Sequence, residues 1–155
     1  MASGKVREFA VDILQYMASG AMPAVNTGGL HLALLSGVPA IAEPFTASSI
    51  SAVEVSAGQF RASIGTNKFG STFLAPVAGF MQMSNSEGEI TFPSDAPATF
   101  GVSGYALCYT SNGTHETDYV AYEVFNEAAN QAKQRTVNIN DTVKVNTGGL
   151  TVKEQ

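Results

Sequence analysis

From residue 29 onward the chain is a series of short apolar segments separated by turn-forming residues, and this cadence limits the fold more than any other feature. The segments read LHLALLS (30–36), AVEV (52–55), QFRASI (59–64), TFLAPVAGFMQMS (72–84), EITF (89–92), YALCYT (105–110), YVAYEVF (119–125), TVNIN (136–140), TVKVN (142–146) and LTVKE (150–154). Alternating or short continuous apolar runs bounded by Gly, Pro, Asn and Ser are strand signals. Pro76 and Gly79 break the fourth apolar stretch into two short strands or one kinked edge strand. Ser56-Ala57-Gly58 reads as a hairpin turn or a bulge between AVEV and QFRASI. Many short strands at this spacing predict a mainly β chain, an antiparallel β-sandwich or jelly-roll-like domain. At 155 residues the chain fits one such domain.

Residues 5–18 carry a different period. Val6, Phe9, Ala10, Ile13, Leu14 and Met17 fall on one stripe of a helix, with Lys5, Arg7, Glu8, Asp12 and Gln15 off it. Ser3 is the expected N-cap and Gly20 the expected stop. The stripe either packs on the domain's own sheet or forms an arm that contacts another chain. The second reading assigns Val6, Phe9, Ile13, Leu14 and Met17 as partner-contact residues and divides the chain into a helical arm, 1–27, and a β domain, 28–155. Two stretches resist the strand pattern. Residues 37–50, with two prolines, read as a surface loop with a helical turn. Residues 126–135, NEAANQAKQR, have helix-favouring composition but are too short to be stable alone, and read as an exposed excursion between strands.

The letters VNTGGL occur twice, at 25–30 and at 145–150. Asn and Gly are the residues that tolerate positive φ, so each copy reads as a turn that launches a strand. Nothing outside these letters repeats, which argues against a duplicated domain. A phosphate-binding loop needs a different glycine spacing and a following helix, whereas a strand pattern follows here. The repeat is turn chemistry used twice.

Charge and composition exclude several classes. The formal net charge is −5 and the eight basic residues form no cluster, so a nucleic-acid surface is not expected. Charged residues make up 14%, low against the usual ~25%, with Ser, Thr, Asn and Gln in their place. No run approaches the ~18 apolar residues of a membrane span. The start of the chain is not expected to be a secretory signal, because Glu8, Asp12 and Gln15 interrupt its apolar stretch. One cysteine gives neither a disulfide framework nor a thiolate zinc site.

No catalytic, cofactor-binding or metal-binding residues are assigned. His31 alternates against Leu30, Leu32 and Leu34 and reads as a surface or interface imidazole. His115 shares a polar loop with Glu116 and Asp118, a weak metal pattern. Cys108 lies in a core strand pattern and reads as a small buried hydrophobe. Glu87 and Glu89 flank a turn glycine without the aromatic platforms a glycosidase would need. Glu43, Glu54, Asp95 and Asp141 sit beside turn signals and read as solvated or capping. A carbohydrate-binding module would need exposed aromatics on one sheet face, and Tyr105, Tyr109, Tyr119 and Tyr122 are its candidates.

With the strands placed, the chain resembles a widespread family of small tailed-bacteriophage virion proteins, commonly described as tail fibre proteins. The resemblance runs over about residues 28–153. It rests on Leu30, Leu32, Ala33 and Leu34; on Glu54, Val55, Ser56, Gly58, Phe60 and Arg61; and on Thr91, Phe92 and Pro93. It continues through Tyr105, Ala106 and Leu107, then Val137, Asn138, Asp141, Thr142 and Val143, and closes with Gly149, Leu150, Thr151 and Val152. The N-terminal helix and the 126–135 excursion depart from it. The resemblance implies a non-enzymatic virion structural protein without cofactor, assembled in the bacterial host cytoplasm. Small size, one β domain, an arm and acidity favour a capsid decoration (cement) protein bridging major capsid protein subunits. The alternative is a tail fibre, spike-base or neck component. Its expected partners are the major capsid protein or other virion proteins and further copies of itself, a homotrimer matching local capsid symmetry; neither nucleic acid nor membrane is expected.

Overall fold

The computed structural model describes residues 2–5, 7–20, 30–39, 45–64, 74–77, 80–85, 88–111, 119–124 and 135–154. Among them the strands are β1 (Ala2–Lys5), β2 (His31–Leu35), β3 (Arg61–Ser63), β4 (Leu74–Val77), β5 (Phe80–Ser84) and β6 (Ile90–Thr91). They continue as β7 (Phe100–Val102), β8 (Gly104–Cys108), β9 (Tyr119–Val124), β10 (Arg135–Val137), β11 (Lys144–Val145) and β12 (Thr151–Glu154). Among the described residues the α-helices are α1 (Arg7–Ser19) and α2 (Ala47–Ser51). The chain is β-rich, and every described strand pairing is antiparallel.

The frame is a five-stranded sheet in the order β1-β9-β8-β2-β3. Smaller sheets pair β12-β5-β4, β10-β7 and β11-β6. All five residues of β2 are buried, because it is an inner strand with a hydrophobic cluster on each face. On one face Ala33, Leu35, Ala106, Cys108, Tyr119, Tyr122 and Val124 pack against Phe45, Ala47 and Ile50. On the other, Leu32, Leu34, Ala62 and Leu107 meet Val55, Phe60, Ile90, Phe92 and Leu150. Phe60 stacks on Phe92 with ring centroids 4.7 Å apart. Burying one such side chain contributes about 1.5–3 kcal/mol, so these two clusters carry the bulk of the stabilisation.

The two-sided core explains where the sequence reading needs correction. His31 is not a surface imidazole but is 8% exposed, since its face of β2 is covered. Residues 45–50 enter the expected helical turn, α2, but are not surface loop: Phe45, Ala47 and Ile50 roof one cluster. Thr46 caps α2 there by accepting the Ser49 N–H at 3.2 Å. Residues 52–55 are not a strand. Glu54 makes a single bridge to Leu35, and the chain then turns through Val55–Gly58. Ser56 and Ala57 take left-handed φ values of 55° and 46° there.

The start of the chain differs too. Ser3 is no helix cap: it lies in β1, which pairs with β9 at the edge of the main sheet, Ser3 opposite Glu123. The helix begins at Arg7 and is tied at its start by the Arg7 N–H to the Phe45 carbonyl, 3.1 Å. Gly20 ends it as expected, with φ +70° and its N–H on the Tyr16 carbonyl at 2.8 Å.

The second VNTGGL copy is a turn. The Gly149 N–H reaches the Asn146 carbonyl at 2.8 Å, and Gly148 holds φ +75°, the conformation a type II turn demands at that position. Fully buried Asn85 fixes it from outside. Its amide donates to the Gly88 and Asn146 carbonyls at 3.0 and 2.9 Å, and its Oδ1 accepts the Leu150 N–H at 2.9 Å. Leu30 and Leu150, the last residues of the two copies, both pack into the same cluster. Residues 25–29 of the first copy lie outside the described residues, as do 126–134 of the excursion.

Candidate functional site

The densest polar chemistry lies inside the fold. Glu54 and Arg61 face each other across the left-handed turn, both side chains fully buried, with Nε–Oε1 2.7 Å and Nη2–Oε2 2.9 Å. Nη1 donates to the carbonyl and hydroxyl of Thr110 at 3.1 and 2.8 Å. Nη2 also donates to the Tyr119 hydroxyl at 3.2 Å. The five N–H groups of the guanidinium are thereby all used. The Tyr119 hydroxyl in turn donates to the Glu54 carboxylate, closing a triangle. The Arg61 Cζ lies 5.3 Å from the centre of the Tyr119 ring. Burial works against the Arg61 charge, but the hydrogen bond to Glu54 together with the charge interactions around it outweighs that and holds the guanidinium above its ordinary pKa. Burial, then the Glu54 contact, raises the Tyr119 phenol well above its usual value.

This cluster has the residue types of an acid–base site but not the access. A general acid or base must reach a substrate atom, and here the donors and the carboxylate face one another with both charged side chains fully buried. Its physical effect is to lock the 54–61 turn to the start of the 110 loop and to β9. Glu54, expected to be solvated or capping, is thus a core anion. The motif residues around it are structural: Val55 and Phe60 fill the core, and Gly58 holds φ +83°.

The other candidates fare similarly. Cys108 is buried in the first cluster, as read from its strand pattern. His115, Glu116 and Asp118 lie outside the described residues, as do Glu43 and Glu87. Glu89 forms an exposed pair with Lys144 at 3.0 Å. Asp141 is a turn cap, its Oδ2 accepting the Asn138 N–H at 2.8 Å, and Asp95 accepts from the Thr142 hydroxyl at 3.0 Å. Among the described residues no three His, Cys, Asp or Glu side chains converge for a metal ion, and no helix is long and apolar enough to cross a membrane. None of the four candidate tyrosines offers an exposed platform. Tyr119 and Tyr122 are buried, and Tyr105 and Tyr109 are half-buried. Tyr105 donates to Glu123, and burial first, then that contact, raises its pKa.

The accessible candidate is α1. Every residue from Leu14 to Gly20 is exposed, so no face of that half of the helix is packed. Leu14 is 64% and Met17 75% exposed, flanked by Val11 and Tyr16 at 44% and 40%. Ile13 and Ala10 are half-buried. Leu14, Met17 and Ile13 thus lie on one stripe, the first two in solvent rather than on the sheet. Val6 and the side chain of Phe9 lie outside the described residues. Sequence periodicity marked this helix, but only the structure separates an apolar stripe turned into the domain from one turned out.

Comparison with protein-family models gives no match for this chain. Comparison with curated proteins gives none either.

Proposed function

We propose that this chain is a non-enzymatic structural protein of a tailed-phage virion, a capsid decoration protein that cements neighbouring major capsid subunits. The observation that carries the reading is the exposed half of α1, an apolar helix face in solvent beside a domain in which the densest polar cluster among the described residues, Glu54, Arg61 and Tyr119, is buried. A protein that only binds needs such a surface and no accessible acid, base or nucleophile. The sequence resemblance over residues 28–153 supplies the virion setting. In this reading the cluster around Phe60 and Phe92 is the core of a β-sandwich, with the smaller strands β6, β7, β10 and β11 forming its second layer.

The acidic, low-charge composition suits a protein that must stay soluble before assembly and then pack against neighbours. The test is uptake by particles made without the chain. Purified protein should cosediment with them saturably, at a copy number on the order of hundreds set by the capsid symmetry, and should raise their disruption temperature. Particles that take up none of it overturn the reading.

A further inference from the structure

Beyond the paired ends of β7 and β10, two turns are laced into a knuckle. The Asp141 N–H reaches the Asn138 carbonyl at 3.0 Å and Asn140 holds φ 68°, the pattern of a type II turn. The facing segment is bonded to it at several points. The Ile139 N–H donates to the Thr99 hydroxyl at 3.0 Å, the Asn140 N–H to the Ala96 carbonyl at 2.9 Å, and the Ala96 N–H to the Asp141 carbonyl at 2.8 Å. The Thr142 hydroxyl donates to Asp95 at 3.0 Å. The tip of this fixed frame is apolar. Ile139 is 56% exposed, and Pro97 and Ala98 across from it are exposed as well. Nothing in a type II turn asks for isoleucine at its second position, where proline is the common choice.

A single exposed aliphatic side chain is ordinary on a sheet face. At the tip of a rigid turn it can enter a concave site with little ordering cost. Charge selects the kind of site. Asp95 and Asp141 are exposed at the base of the knuckle, and residues 94–99 and 138–142 include no Lys or Arg. The complementary site therefore has an apolar floor for Ile139 and Lys or Arg at its rim. An anionic lipid surface would call for basic residues beside the apolar tip, the opposite of what is present. The knuckle is also separate from α1. The Arg7 N–H ties the start of α1 to Phe45, in the cluster on one face of the main sheet. Phe100 and Val102 of β7 pack against the cluster on the other face. A protein that bridges two subunits needs two separate contact surfaces, and these two features belong to opposite faces of the sheet.

We infer that the knuckle is a second docking point, distinct from α1, which inserts Ile139 into an apolar pocket rimmed by Lys or Arg on a capsid subunit. The inference rests on the virion reading for where that pocket is found.

Cosedimentation of the full chain with tailed-phage particles made without it tests this, with Ile139→Ser and Asp95→Asn beside the parent chain. Serine suits the exposed turn and removes the apolar knob. Asparagine keeps an acceptor for Thr142 and removes the charge. With melting by circular dichroism unchanged, Ile139→Ser should weaken binding by about tenfold to a hundredfold, the loss expected for one buried aliphatic side chain. Asp95→Asn should flatten the fall in affinity with rising salt. Binding that Ile139→Ser leaves unchanged overturns the inference while the virion reading stands. An Asp95→Asn salt dependence equal to the parent's overturns the basic rim. A parent chain that binds no particles overturns the virion reading and takes the inference with it.

Discussion

Removing the Arg61 side chain should cost far more than its location beside a short edge strand suggests. In Arg61→Met the Glu54 carboxylate stays fully buried but loses both guanidinium contacts, keeping only the Tyr119 hydroxyl. Thr110 loses two contacts as well. Leaving one member of a buried ion pair without its partner costs about 3–5 kcal/mol, a large share of the roughly 5–15 kcal/mol total of a domain this size. The reason is the isolated charge, so replacing the network whole should be milder. Glu54→Leu with Arg61→Met and Tyr119→Phe leaves no buried charge and should cost about 2 kcal/mol or less. Urea unfolding followed by circular dichroism measures both losses. A loss under about 1 kcal/mol for Arg61→Met refutes the reasoning. A triple variant as damaged as the single one refutes it equally.

Three further outcomes are expected. Asn85→Ala strands one buried donor and two acceptors and should cost about 3 kcal/mol. Asn85→Asp should be worse at pH 7 than at pH 4, where a protonated carboxyl can again donate; equal loss at both would contradict the assigned hydrogen bonds. Above about pH 10 the unfolded chain gives up the Tyr105 and Tyr119 protons while the folded chain keeps them. Stability should therefore fall by about 1.4 kcal/mol per pH unit for each, and Tyr119→Phe should reduce that slope in alkaline urea melts. Ala57→Gly should raise stability by about 0.5–1 kcal/mol, because Ala57 sits at φ 46° where a Cβ is strained; a lower denaturation midpoint would count against the strained turn.

Local pattern made the inner strands legible. Alternation placed β2, β8 and β9 within a residue or two, and split the six residues 30–35 onto the two faces that the two clusters occupy. Cys108 and Asp141 also follow from neighbours along the chain. What escaped depends on partners distant in sequence. Nothing in Ala-Ser-Gly-Lys marks a strand; β1 exists because β9 offers it an edge. The prolines of 37–50 suggested a surface, yet Phe45 and Ile50 were apolar signals that this loop is a roof. Glu54, judged alone, reads as solvated or capping, and its pairing with Arg61 escapes that reading. Their signal was two opposite charges closing the otherwise uncharged stretch Val-Ser-Ala-Gly-Gln-Phe. The helix stripe was legible as a stripe, but its outward orientation is set by where the domain leaves off.

The proposed virion role is tested most directly by quantitative mass spectrometry of tailed-phage particles purified from cells that carry the gene for the chain, counting its copies against the major capsid protein. A capsid decoration protein predicts copies on the order of hundreds per particle, in fixed ratio to the capsid lattice. About a dozen copies would contradict the capsid station and assign the chain to the tail or neck. Complete absence would contradict the virion reading itself.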